Sequence, residues 1–169
     1  MRLPFAVSVW LLGVLFGPAA IQCDAATVTT IVTAQSVKPL TITKVQDFNL
    51  GTVMLGPGVW SNATIALSQT GVLTCTNANI TCSGAVLAAE YDVQGSGQQT
   101  VQISAPNVTL TNQSDSTQTL TLLTNAPASI VLKNSGLPGT NFWIGGSVRL
   151  SSNTAPGTYV GTFNVTVDY

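Results

Sequence analysis

The sequence predicts an all-β protein, and three observations predict it. Threonine and valine dominate the 169 residues after the first stretch, and both favour strands over helices. Turn-forming clusters interrupt the chain at short intervals: Gly56-Pro57-Gly58, Asn77-Ala78-Asn79, Gly95-Ser96-Gly97, Ala105-Pro106-Asn107, Ala126-Pro127, Leu137-Pro138-Gly139 and Ala155-Pro156-Gly157. No window of the later chain repeats apolar residues at a spacing of three and four, as an amphipathic helix would. Many short strands between regular turns build a sandwich or a barrel.

Residues 1–25 read as a cleaved signal peptide outside the fold. Arg2 gives a positive start, and Leu3 to Phe16 is an apolar run too short to span a bilayer comfortably. Gly17-Pro18 breaks it, and Cys23-Asp24-Ala25 puts small residues at the minus-three and minus-one positions of a cleavage after Ala25. The alternative is a lipoprotein signal with Cys23 lipidated; Gln22 then stands where a small residue should precede the cysteine. Residues 26–37 form an extension, and residues 38–169 suffice for one domain.

Ala26 to Val37 is β-prone and carries no charge, proline or glycine. Val28, Val32 and Ala34 fall on one face, Ile31 and Val37 on the other. The segment is either an ordinary first strand or a strand that pairs with another molecule, with Val28, Ile31, Val32 and Ala34 as its assembly residues.

Strands are then expected in order. Leu40 to Val45 alternates, and Phe48 to Val53 continues it beyond a bend at Asp47. Trp60 to Leu67 and Gly71 to Cys75 follow. Ala85 to Val93 places Leu87, Ala89, Tyr91 and Val93 on one face. Val101 and Ile103 alternate with polar residues; Val108 to Leu110, Leu120 to Leu123 and Ile130 to Leu132 are short. Phe142 to Leu150 carries Gly145-Gly146, a bend or bulge. Last comes the longest alternation. Tyr159, Gly161, Phe163, Val165, Val167 and Tyr169 share one face, so Tyr159, Phe163, Val165, Val167 and Tyr169 are expected to form the core of a terminal strand.

Beyond the signal, Lys38, Lys44, Lys133 and Arg149 stand against Asp47, Glu90, Asp92, Asp115 and Asp168. That near-neutral balance gives no reason to expect nucleic acid or an anionic membrane as a partner. A polar surface so poor in charge suits exported proteins that pack against copies of themselves. With Cys23 removed, Cys75 and Cys82 remain, and export into an oxidising compartment reads them as a disulfide.

No constellation for catalysis is present, and the expectation is a non-enzyme without cofactor or metal. Histidine is absent, which removes the usual general base, the Ser-His-Asp triad and most transition-metal sites. Glu90 and Asp92, two apart on a strand, share a face and read as solvated polar residues rather than a glycosidase pair or calcium ligands. Gly95-Ser96-Gly97 is a hairpin turn with no helix behind it to hold phosphate. Five Asn-x-Ser/Thr triplets, at Asn62, Asn79, Asn107, Asn112 and Asn164, follow from composition and matter only in a eukaryotic host. Trp60, Phe142 and Trp143 pack in a core or interface, or stack on sugars if exposed.

Several segments together resemble one family of secreted bacterial β-domains, catalogued as domain of unknown function 4402. Pro39-Leu40-Thr41-Ile42-Thr43-Lys44-Val45-Gln46-Asp47-Phe48-Asn49-Leu50-Gly51-Thr52-Val53 is similar to its opening motif, with Leu50 where an aromatic residue is usual. Glu90 to Gly95, Val108 to Asn112, Phe142 to Val148 and Ala155 to Tyr169 resemble its later motifs. The resemblance implies export from Gram-negative bacteria, an immunoglobulin-like antiparallel β-sandwich and similarity to fimbrial subunits. It supplies no catalytic residues.

The expected function is therefore an exported, pilin-like structural subunit, assembling by β-strand addition with copies of itself or related subunits at the periplasm or cell surface. A monomeric secreted adhesin or carbohydrate-binding module, directed at a glycan or host surface, is the alternative. A small outer-membrane β-barrel is a further one, which the sparse charge opposes.

Overall fold

The computed structural model describes residues 27–169. The expected signal peptide, residues 1–25, and Ala26 of the extension lie outside them. Residues 36–169 form one compact unit, and residues up to 35 belong to a separate one. Among the described residues there are thirteen strands and no helix. They are β1 (Thr41–Gln46), β2 (Thr52–Leu55), β3 (Ala63–Leu67), β4 (Leu73–Cys75), β5 (Ile80–Ser83), β6 (Ala89–Gln94) and β7 (Thr100–Ser104). Then come β8 (Val108–Asn112), β9 (Thr119–Asn125), β10 (Ser129–Val131), β11 (Thr140–Leu150), β12 (Tyr159–Val160) and β13 (Thr166–Asp168).

Every ladder is antiparallel. The largest sheet runs β1-β6-β11-β9-β8-β12, with β3 also on β11 and β4 on β3. The other layer is divided into a three-stranded sheet, β10-β7-β13, and a two-stranded one, β2-β5. The long strand β11 organises the large sheet. Its first half, Thr140 to Ile144, pairs with β6; from Gly145 onward it pairs with β9, and from Gly146 with β3. Gly145 is where the partners change, and a side chain there would run into the backbone of Leu67 and Ser68. The expected bend at Gly145-Gly146 is thus a close approach of backbones that only glycine permits.

Two hydrophobic cores fill the all-β sandwich. One gathers Ala89, Val93, Val101, Ile103, Leu132, Phe142 and Ile144, with Val165 and Val167 packed against it. The other gathers Ala63, Ile65, Ile80, Val108, Leu122, Val148 and Leu150, covered by Phe48, Leu50, Val53 and Leu55. Phe48 and Phe163 touch both. The alternating strands bury their apolar residues as the period-two pattern requires: Val101 and Ile103 on β7 are buried between exposed neighbours.

Several expected strands differ in detail. Phe48 to Gly51 is not a strand; Asn49 makes one isolated bridge to Leu87, and pairing begins at Thr52. Leu87 is 41% exposed and precedes β6, so it does not share the inward face of Ala89 and Val93. β5 was not foreseen, although it pairs with all of β2. The largest correction concerns the terminal strand. Tyr159 and Val160 pair with β8, Thr166 to Asp168 pair with β7, and Gly161 to Val165 between them belongs to no ladder. The chain here crosses from one layer to the other, and a strand cannot keep a continuous ladder with both.

Candidate functional site

The terminal crossing forms one wall of the main concavity of the domain. This is an open groove of about 1050 Å³. Its other wall is the run from Asp47 through β2, and its ends reach Lys44 and Tyr91 on one side and Thr154 to Thr158 on the other. The floor is apolar: Ile65, Leu110, Leu120, Leu122, Val148 and Leu150, contributed by β3, β8, β9 and β11. These are residues of the second core. Over this half of the large sheet the opposite layer consists of the two-stranded β2-β5 sheet and the terminal crossing, and the groove lies between them.

Both walls present backbone that is free to pair. β2 ladders only with β5. Between Val160 and Thr166, no backbone group bonds to another backbone group among the described residues. Extended chain with an unpaired edge beside an apolar floor is a template for an added strand.

Polar groups at the groove are few. Lys44 Nζ donates to Asp47 Oδ1 at 2.6 Å, and that hydrogen bond, with the aspartate charge, raises the lysine pKa. The pair is solvent-exposed and contributes little to stability. Tyr91 stacks on Phe142 with ring centroids 5.5 Å apart. Burial pushes its phenol pKa up, so it stays neutral at physiological pH.

The residues singled out in the sequence are distributed as follows. Cys75 and Cys82 form a disulfide that joins β4 to β5. Phe163 is half-buried and lines the groove; Val165 and Val167 are half-buried against the first core. Tyr159 lines the groove, its hydroxyl donating to the Ala155 carbonyl at 2.8 Å. Tyr169 is 39% exposed rather than core. Its hydroxyl donates to the Lys38 carbonyl at 2.6 Å and accepts from the Ser96 amide at 2.8 Å, tying the start of the domain to its last residue. Lys38 N also donates to Ser96 Oγ at 2.7 Å.

Residues 27–40 contain no strand. Val28, Ile31 and Val32 are 87–89% exposed, and Ala34 is exposed. Trp60 is half-buried, packs against the second core and donates its indole N–H to the Gly56 carbonyl at 3.2 Å. Trp143 is 42% exposed on the face where Asn141 Nδ2 donates to Glu90 Oε1 at 2.7 Å. Asp92 accepts from Gln94 at 3.1 Å.

Sequence reasoning did not single out Leu110, Leu120, Leu122 and Leu150 as a shared surface. The available signal was Gly161, which interrupts the row of large residues on the terminal strand. A Cβ there would approach Thr109 O to 2.7 Å and Leu110 Cδ2 to 2.8 Å, so the chain passes β8 closely just where its ladder ends.

Comparison with known proteins gives one match. The family model described as Domain of unknown function (DUF4402) covers residues 40–169. No curated protein and no solved structure matches the chain.

Proposed function

The chain belongs to the family of domain of unknown function 4402, and from that premise we propose that it is an exported, pilin-like structural subunit assembling by β-strand addition. One observation carries the reading: a sandwich with two filled cores leaves an apolar groove over one of them, walled by unpaired backbone. Leaving such a floor to water is unfavourable by roughly 25 cal/mol for each Å² of apolar surface. A strand laid over it removes that surface from water and pairs both backbone edges. The partners are copies of this chain or related subunits, the place is the periplasm or cell surface, and no reaction is assigned.

The segment 26–37, exposed over its described residues 27–37, is the strand donor in this reading. It is uncharged and β-prone, and nothing in it blunts edge-to-edge pairing. Size-exclusion chromatography and electron microscopy of the wild type and of Val32→Asp test it. The wild type should form high-mass, detergent-resistant species. Val32→Asp should remain monomeric with an unchanged melting temperature, because a charge buried in an apolar site without a partner is strongly disfavoured. A wild type that stays monomeric at every concentration would refute the proposal.

The half-exposed Trp143, beside the Glu90–Asn141 pair, favours a secreted carbohydrate-binding module as the second reading. Glycan-array binding that Trp143→Ala abolishes would establish it.

A further inference from the structure

Resting on that reading, we infer that residues 27–37 of a second copy insert between β2 and Gly161–Val165 and turn the divided layer into one continuous sheet. The two small sheets end on opposite sides of the groove. β5-β2 presents the free edge of β2, and β10-β7-β13 continues into the unpaired crossing. One strand between them gives a six-stranded layer, β5-β2-inserted strand-terminal strand-β7-β10, facing the large sheet across a closed core.

The segment has the chemistry and the length for this place. Eleven extended residues reach roughly 36 Å at 3.3 Å per residue, more than the four-residue β2 and the five-residue crossing require. Alternation sends Val28, Val32 and Ala34 to one side, small and apolar enough to lie over Leu110, Leu120 and Leu122. Threonine occupies much of the remainder, and the charges along the groove rim are already paired with each other at Lys44 and Asp47.

The donor is a second molecule because of where the domain holds its own chain. Lys38 is fixed at the Tyr169 end by the Ser96 and Tyr169 bonds. From Lys38 to Lys44, where the groove begins, the chain takes six residues, the last four of them in β1. A chain turning back on itself would spend about the same number, roughly 20 Å, travelling that distance. Val37 to Val32 would be consumed outside the groove, leaving Val28 and Ile31, which lie on opposite faces, so that a single large apolar side chain would meet the floor. A segment arriving from another copy meets no such tether.

The test uses the full chain in two tagged forms, one carrying Thr33→Cys and the other Thr162→Cys, both on the face turned away from the floor, mixed under mild oxidation. Mixed-tag disulfide dimers are expected, at least tenfold above the yield with Thr43→Cys, an exposed position on β1, in place of Thr162→Cys. Amide exchange at Gly161–Val165 should slow at least tenfold on assembly. Equal yields with Thr43→Cys, or a link formed only within single chains carrying both Thr33→Cys and Thr162→Cys, would overturn the inference. So would assemblies whose Gly161–Val165 amides exchange as in the monomer; in that case subunit assembly stands and only its place is wrong. A wild type that forms no assemblies removes both.

Discussion

At the scale of single residues, Asn112 shows how a polar side chain earns a buried position. It is 2% exposed, donates to the Pro156 carbonyl at 3.0 Å and accepts from the Ser114 amide at 2.9 Å. It therefore ties the end of β8 to the turn that starts the terminal strand. Asn112→Ala should lower stability by about 1–2 kcal/mol, since it removes two hydrogen bonds made by a buried side chain, while their partners on the exposed Pro156 and Ser114 can turn to water; urea unfolding checks this. The disulfide is simpler. Cys75 and Cys82 are seven apart, so the closed loop is small and its entropic contribution is roughly 2.5 kcal/mol. The double variant Cys75→Ala/Cys82→Ala should still fold but melt several degrees lower, and non-reducing mass spectrometry of the wild type should find no free thiol at either position.

At the scale of elements, β11 depends on the absence of a side chain at Gly145. Gly145→Ala presses a methyl group into the backbone of Leu67 and Ser68. Backbone yields less than a side chain, so the cost should reach at least the 1–3 kcal/mol typical of overpacking. Loss of soluble protein, or a melting temperature lowered by well over 5 °C, is the expected reading. Two glycines inside an alternating run pointed to a bend or bulge here; the strand instead runs uninterrupted, and the glycines admit a close neighbour. The alternation of β7 was legible. β5 was not: Ile80 to Ser83 is short, follows an Asn-rich turn and contains a cysteine already explained by its disulfide. The terminal strand misled for another reason. Alternation records which face of the chain meets apolar surroundings, and Phe163, Val165 and Val167 do face them. It does not record which neighbour supplies the hydrogen bonds, so a crossing between layers looks the same as one uninterrupted strand. The groove followed from that break and could not be seen without it.

At the scale of the whole molecule, the two cores are not separable. β11 belongs to both, and Phe48 and Phe163 pack against both. Residues 36–169 should therefore unfold in one cooperative transition, with equal calorimetric and van't Hoff enthalpies for the monomer. Two resolved transitions would show that the halves stand independently.

The central position of β11 also sets a timetable. β6 and β3 do not pair with each other; each meets the large sheet's centre only through β11. Until residues 140–150 have been synthesised, the chain can form hairpins such as β3-β4 and β8-β9, but the strand that joins them does not yet exist. Long-range strand pairing is slow to form. Meanwhile β-prone edges with hardly any charged gatekeepers lie open to other nascent chains. A topology that keeps its keystone until late lengthens the time for which those edges are exposed, and aggregation before completion is the hazard that follows.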